Sequence, residues 1–280
     1  MARSDLRPAV LSIAGSDPSG GAGLQSDLRT FALHGLFGCA VVTALTVQGS
    51  DRVRRTQAVD ASLVEEQLEA VLAEGSVAAI KTGMLANAEV VAAVARSLSG
   101  SGSRIPLVVD PVMVSSSGSE LLDSEGVVVM REQLLPLATV VTPNLDEAGV
   151  LLGGGPIDAR DAEPAARELA AVLGCCVVVK GGHGLGEYAV DHVGLAAGPS
   201  HPVRSMRLEA PWVDTAASHG TGCLFSAALC SALGRGDDLP VALHHARRCM
   251  DRGLEQGRVG RHGGGSVWLD RVPGDASGKY

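Results

Sequence analysis

Gly220-Thr221-Gly222-Cys223 puts a reactive thiol next to the most permissive kind of backbone. Small apolar residues follow, and Gly234 and Gly236 stand at the far end, so the stretch reads as a turn feeding a buried helix with a glycine stop. The first N–H groups of such a helix have no intrahelical partners and carry the positive end of its dipole. Glycines let a phosphate approach the backbone, which makes Gly220, Thr221, Gly222 and Cys223 a candidate anion cradle. A thiol in the first turn is expected to have its pKa lowered toward neutral, and a thiolate beside an anion hole can act as base or nucleophile. The same residues also fit a plain helix start capped by Thr221, with Cys223 in the core.

Other polar residues with chemical potential stand where short apolar runs end. Val10 to Ala14 runs into Gly15-Ser16-Asp17-Pro18-Ser19-Gly20-Gly21-Ala22-Gly23, which is neither GxxxxGK[ST] nor a clean GxGxxG, so neither a P-loop nor a dinucleotide fingerprint is supported. Asp27 falls one turn into the following helix, Leu24 to His34, where it can face the loop or serve as a solvated first-turn acid. Cys39 to Val47 ends in Gln48, whose amide offers a donor and an acceptor to a heterocycle. Val77 to Ile80 leads to Lys81-Thr82-Gly83-Met84. Pro106 to Val109 leads to Asp110 and the polar loop Ser115 to Ser119; an acid in that position suits magnesium–phosphate work. Thr139 to Val141 ends in Thr142-Pro143-Asn144-Leu145-Asp146-Glu147, where Asn144 and Glu147 fit a capping box as well as a metal role. Cys175 to Val179 ends in Lys180-Gly181-Gly182-His183-Gly184, a plausible phosphate contact.

The elements that must position these residues alternate strand and helix along the chain. Helical periods cover Ser62 to Gly75, Asn87 to Leu98, Glu125 to Leu135, Ala162 to Leu173 and Leu239 to about Glu255. The last carries His244-His245-Ala246-Arg247-Arg248, read as a solvated face. Tyr188 to Val193 and His201 to Leu208 suit a shorter antiparallel edge. No repeat or linker divides the 280 residues, which predicts one α/β domain of three layers, a mostly parallel sheet with helices on both faces. Its core covers about residues 8–255, and an irregular Gly/Arg-rich tail covers 257–280. Asp17, Gln48, Lys81, Asp110, Asn144 and Lys180 then share the strands' carboxyl edge, where ligands bind in such sheets.

Composition excludes several classes. Apolar residues make up 46% and aromatics only 2%, and the formal net charge is −8, which argues against base stacking and against a basic footprint for nucleic acid or anionic membrane. No uncharged apolar run of membrane-spanning length occurs. Six irregularly spaced cysteines, without CxxC or zinc-finger spacing, suit reduced thiols and a cytoplasmic location. Only three of the 23 basic residues are lysine, and two of them, Lys81 and Lys180, close apolar runs.

The motifs GSDPSGGAGLQSDL, ALTVQGS, IKTGML, VVDPVM, VTPNLDEA, VVKGGHG and HGTGC occur in an order and at spacings that resemble the hydroxymethylpyrimidine/phosphomethylpyrimidine kinases of thiamine biosynthesis, in the ribokinase-like superfamily. The resemblance covers about residues 8 to 255. It implies a cytoplasmic homodimer that uses ATP and Mg2+ to phosphorylate 4-amino-5-hydroxymethyl-2-methylpyrimidine and then its monophosphate. It assigns Gln48, Gly15, Met84 and Asp27 to the pyrimidine, and the turn Gly220 to Cys223 to the anion hole, with Cys223 as base. Lys180, Asn144 and Thr221 go to the ATP phosphates, and Asp110 and Glu147 to magnesium, directly or through water. Ala217-Ser218, Leu224-Phe225 and the tail depart from the family's pattern. A pyridoxal or pyridoxine kinase and a catalytically idle pyrimidine-binding protein are the alternatives.

Overall fold

The computed structural model describes residues 8–49, 52–100, 105–115, 118–181, 187–198, 202–259 and 265–274. Ser116 and Ser117 of the polar loop, Gly182 to Gly184 after Lys180, and tail residues 260–264 and 275–280 lie outside the described residues.

Six strands are parallel: β1 (Ala9–Ser16), β2 (Phe37–Gln48), β4 (Val77–Thr82), β5 (Leu107–Val109), β6 (Val140–Val141) and β7 (Cys176–Val179). With β3 (Val53–Ala58), β8 (Tyr188–Leu195) and β9 (Arg204–Pro211) they form one sheet in the order β3-β2-β1-β4-β5-β6-β7-β8-β9. β3 pairs antiparallel with β2, and β8 pairs antiparallel with both β7 and β9, so the antiparallel strands sit at the two edges. The expected edge of short polar strands is β8 and β9. The sequence reading contains no β3; Val53-Arg54-Arg55-Thr56-Gln57-Ala58 has no buried face and is held mainly by its ladder with β2.

Of the parallel strands, β1 and β4 to β7 are buried on both sides because helices cover both sides, while β2 keeps Phe37, Leu45 and Val47 exposed. Leu11, Ile13, Val109, Val177 and Val179 point into one core, and Val10, Val108, Cys176 and Val178 point into the other, the strict alternation of a pleated strand. The first core lies under α2 (Ala61–Ala73), α3 (Ala88–Gly100), α4 (Ser124–Val129), α5 (Leu145–Leu151) and α6 (Ala162–Leu173). The second lies under α1 (Gly23–Leu33), α7 (Thr221–Gly234) and α8 (Leu239–Glu255). The predicted helix over Glu125 to Leu135 is α4 followed by a wider turn at Met130–Leu134 and a tight one at Leu135–Leu137, where Pro136 removes a backbone donor.

α7 packs against α1, α8 and strands β1, β4 and β5, and it is apolar nearly all round because it is covered nearly all round. Its serines satisfy themselves locally: Ser226 Oγ donates to Gly222 O (2.8 Å) and Ser231 Oγ to Ala227 O (2.7 Å). The tail is less irregular than predicted. Arg258–Val259 pairs with Gly265–Ser266, and Val267, Leu269 and Val272 are buried against the second core.

The His/Arg cluster of α8 is a solvated face only in part: His244 and Arg248 are exposed, as expected, but the other two members are not. His245 and Arg247 are buried. Arg247 Nη1 donates to Asp191 Oδ2 of β8 (2.8 Å) and Nε to Asp251 Oδ1 (2.9 Å), while Asp191 Oδ1 accepts from Gly181 N (3.1 Å). Sequence distance hides this pair, since Asp191 and Arg247 meet only when β8 joins the sheet. Removing one member of a buried pair leaves an uncompensated charge, at a typical cost of about 3–5 kcal/mol. Arg247→Ala is therefore expected to lower the free energy of unfolding by about that amount in urea titration. Arg247→Met combined with Asp191→Asn should lose clearly less.

Candidate functional site

The loop after β1 is built around Asp17. Its carboxylate accepts from Ser19 N, Ser19 Oγ and Ala22 N (each 2.9 Å), and its own N–H donates to Gln25 Oε1 (2.8 Å). Asp17 Oδ2 also lies 3.1 Å from His219 Nε2, and the same nitrogen lies 3.1 Å from Gln48 Nε2. Burial pushes the Asp17 carboxyl up, but its bonds with His219 and Ser19 outweigh that and leave it below the usual range. One histidine thus ties the glycine-rich loop to the end of β2 and to the turn before α7. The sequence reading gave His219 no role; its place one residue before Gly220 was the available signal.

That turn is shaped by Gly220, whose φ of +86° lies in the left-handed region and whose α-hydrogen faces the carbonyl of Gly21 with no room for a side chain. α7 then starts at Thr221 without a side-chain cap on its N-terminal amides. Thr221 N reaches Ser218 O only at 3.4 Å, so the expected capping by Thr221 is absent and this helix start stays receptive to an anion.

Two buried cations flank the helix start. Lys81, at the end of β4, is fully buried; its ammonium donates to Asp27 Oδ2 (2.8 Å), which also accepts from Ser12 Oγ (2.6 Å). Burial alone would strip the proton from Lys81, but Asp27, with Cys223 and Asp110 adding to it, raises the pKa instead. Asp27 does not face the loop, as one sequence expectation had it. Helical phase turns it to the sheet, where it pairs with Lys81 beneath the cavity. Lys180 Nζ donates to Asp110 Oδ1 (2.9 Å), and Thr142 Oγ1 (3.2 Å) and Ser226 Oγ (3.3 Å) complete the shell of Asp110. Burial raises Asp110, but Lys180 and Lys81 outweigh it and keep it ionised. A Cβ on Gly222 would lie 3.1 Å from Lys180 Nζ and 3.3 Å from Asp110 Oδ2, so glycine lets this pair close against the first turn of α7.

Cys223 lies between these cations, but burial pushes its thiol up to about 11, against the pull of Lys81 and the N–H of Gly23. The expected shift toward neutral is not met; at this half-buried helix start, desolvation exceeds the terminal field. Asn144 and Glu147 form a full capping box, with Asn144 N donating to Glu147 Oε2 and Glu147 N to Asn144 Oδ1, both 2.8 Å. Burial lifts Glu147 to about 7, opposed by Lys180 and reinforced by Asp110.

One cavity of about 850 Å³ is lined by Gln48, Gly15 and Met84 at one end and by Asp110, Asn144, Glu147 and Lys180 at the other, with Gly220, Thr221, Gly222 and Cys223 between them. Gln48 and Cys223 therefore share a chamber. Lys81 lines it as well, while Asp27 lies behind Lys81 and does not. Gly15 and Met84 fit each other, since a Cβ at residue 15 would stand 3.0 Å from the Met84 sulfur.

A doubly covered sheet with an anion-receptive helix start, two lysines and two carboxylates around one chamber defines a phosphotransferase acting on small molecules, with a ribokinase-like fold. The comparisons agree. Residues 17–268 match the phosphomethylpyrimidine kinase family, and the chain belongs to it. It is 41% identical to the hydroxymethylpyrimidine/phosphomethylpyrimidine kinase of Rhizobium meliloti, covering 93% of this chain and 98% of that one. It is 42% identical to the thiamine biosynthesis multifunctional protein ThiED of Corynebacterium efficiens over 96% of its own length, but spans only 36% of that protein. The structure also superposes on an ADP complex of Bacillus subtilis pyridoxal kinase with a TM-score of 0.84 at 31% identity, covering 94% of this chain and 97% of that one.

The raised pKa of Glu147 has a stability consequence. An acid with a folded pKa of about 7 against 4.5 contributes stability that is fully present below pH 4.5 and lost as the pH rises through 7. Glu147→Gln removes that dependence. Without nucleotide, urea unfolding should show the variant gaining on the natural chain by up to about 3 kcal/mol between pH 5 and pH 8. A difference independent of pH would contradict the burial of a shifted carboxyl.

Proposed function

We propose that the chain transfers the γ-phosphoryl group of ATP to 4-amino-5-hydroxymethyl-2-methylpyrimidine and then to its monophosphate, acting over residues 1–280 as one kinase domain. The observation that carries this reading is the uncapped start of α7 opening into the same cavity as Gln48. On this reading Gln48, Gly15 and Met84 hold the pyrimidine. The amides of Gly220 to Cys223, with Lys180, Asn144 and Thr221, hold the phosphates. Asp27 moves from substrate contact to positioning, because it keeps Lys81 charged from behind the cavity.

Phosphoryl transfer is mainly positioning and charge stabilisation, so most of the work falls to amides and ammonium groups that are in place before the substrate arrives. On this reading Cys223 acts as base from its thiolate form: burial holds the thiol at about 11, so near neutral pH its own proton first leaves to solvent, and the thiolate beside Lys81 then takes the alcohol's proton as the new O–P bond forms and the bond to the departing ADP oxygen breaks.

The donor set fits magnesium held through water. Asp110 Oδ1 is occupied by Lys180 and Thr142 and Glu147 Oε2 by the amide of Asn144, which leaves Asp110 Oδ2 as the oxygen that would reach a hydrated dication, and such an ion would offset the Asp110 charge that adds to burial in lifting Glu147. When bound there, Mg2+ would supply neutralisation of phosphate charge. Homodimer formation is proposed as well, supported by exposed Leu45 and Val47 on β2, as is a cytoplasmic location; no helix among the described residues is long and apolar enough to cross a membrane.

Pyridoxal is the second reading, favoured by the likeness to pyridoxal kinase structures. ATP consumption measured with hydroxymethylpyrimidine, its monophosphate and pyridoxal should give the highest kcat/KM with the pyrimidines. A preference for pyridoxal would replace the first reading, and no turnover with any of the three would leave the idle binder.

Cys223→Ala is expected to lower kcat by about 10²–10⁴-fold while the Kd for the pyrimidine stays nearly unchanged. Natural turnover in that variant removes Cys223 as base and leaves the anion hole as the sole agent.

A further inference from the structure

We propose that His34, His245 and Cys249 form a zinc site that staples the end of α1 to the middle of α8, remote from the kinase cavity and independent of the activity proposed above. His34 closes α1, and His245 and Cys249 stand one turn apart on the facing side of α8. All three are buried, and Cys249 is a free thiol with no exposed surface. One donor atom from each lies within 4.8 Å of the other two. His34 Nε2 is 2.8 Å from His245 Nε2, and Cys249 Sγ is 3.5 Å from His245 Nε2 and 3.8 Å from His34 Nε2.

These separations can be set against a tetrahedral ion. Zinc–nitrogen bonds of about 2.0 Å and a zinc–sulfur bond of about 2.3 Å put the nitrogens about 3.3 Å apart and each nitrogen about 3.5 Å from the sulfur. The distance from Cys249 Sγ to His245 Nε2 already has that value, and the one to His34 Nε2, 3.8 Å, is slightly longer. Only the imidazoles must part, by about half an ångström, which small ring rotations supply.

The far side of His34 is prepared for the role. Its Nδ1 lies 2.7 Å from Thr30 O, a group that can only accept, so the proton sits on Nδ1 and the lone pair of Nε2 points into the cluster. A ligating histidine usually has its second nitrogen anchored in this way. Burial also pulls both histidines down to about 4, so both imidazoles are neutral at pH 7; His245, whose Nε2–H donates to His34 Nε2 in the metal-free chain, takes the ion once its proton sits on Nδ1 instead. The thiol is pushed up to about 12 by burial, so the ion must displace its proton.

The fourth position has room. A second cavity of about 360 Å³ is lined by His34 and His245 together with Arg235, Arg248 and Pro273. The two arginines oppose a bare dication, but the thiolate cancels one charge and the cavity admits an anionic or water ligand beside them. With nitrogen, nitrogen and sulfur donors the site selects a thiophilic tetrahedral ion, whereas magnesium selects oxygen.

The bland reading is a hydrogen bond from His245 to His34 with a nearby thiol, and it predicts no stoichiometric metal. The full chain, prepared without a polyhistidine tag and stripped by a chelator, is titrated with ZnCl2 and separately with CoCl2 in the absence of nucleotide. One equivalent of zinc per chain is expected, with a rise in Tm. Cobalt should give tetrahedral d–d bands and a thiolate-to-cobalt charge-transfer band. Cys249→Ser should lose that band, and both Cys249→Ser and His34→Gln should weaken zinc by at least about 10-fold and abolish the Tm rise. Substoichiometric zinc in the natural chain, or equal zinc affinity in the natural chain and both variants, overturns the proposal. If the variants do not fold, the cobalt spectrum of Cys223→Ala decides: that change removes the thiol lining the kinase cavity, so a thiolate band that persists supports the site and its loss overturns the proposal. None of these readouts uses turnover, so their failure leaves the kinase reading untouched.

Discussion

A helix start with no side-chain cap, whose first amide reaches a carbonyl of its own chain only at 3.4 Å, is open to a partner from outside the protein. α7 can bear that because burial along its length, rather than a cap, fixes where it begins. Ten of its 14 residues are buried between sheet, α1 and α8, so the position of its first turn is set by packing a full helix length away. Gly220 then turns the chain in from β9's side with a left-handed residue, and the amides of the first turn face the cavity. Shifting the helix to satisfy those amides would pull apolar side chains out of a filled core. The receptive end is thus held by apolar contacts that take no part in chemistry.

Charge around that end is arranged in matched pairs. Lys81 is tied to Asp27 and Lys180 to Asp110, so each buried ammonium is compensated without any ligand. The two pairs differ in what a phosphate could do to them. The first is sealed, with Asp27 out of the cavity, and its ammonium cannot move far. The second opens onto the cavity, with Lys180 partly exposed, and its lysine can exchange a carboxylate for a phosphate oxygen. On the proposed reading, a fixed charge would stand beside the thiol and a movable one beside the phosphates, the division of labour that phosphoryl transfer asks of its cations.

The sheet was legible because five of its parallel strands are covered on both faces and so read as apolar runs, β2 is apolar and β-branched as well, and each run stops close to a polar residue that lines the cavity. β3 was not legible: a strand held by backbone pairing alone leaves no hydrophobic period. Burial of Arg247 and His245 was hidden for another reason. Their partners, Asp191 and His34, lie on other elements far along the chain, and a helix period cannot show which polar residues find partners. Asp27 was placed near the right loop but on the wrong side, because one turn of helix decides between cavity and sheet. The thiol of Cys223 was misjudged because its burial, and the nearby carboxylates of Asp27 and Asp110 that add to it, outweigh the pull of Lys81 and the Gly23 N–H, and none of these is visible from a position in a helix's first turn.

Substrate choice turns on a pocket with one polar and one adaptable wall. Met84 packs into the space that Gly15 leaves, and an unbranched thioether adjusts to rings of different outline. An apolar wall of that kind separates ligands differing by one methyl group only about 10–200-fold. Stronger discrimination must come from Gln48, whose amide is steadied by His219, itself held by Asp17. If Gln48 holds the ring as proposed, a ring whose edge leaves that amide unpaired strands a half-buried polar group, and that penalty would weigh more than shape in separating a pyrimidine from a pyridine.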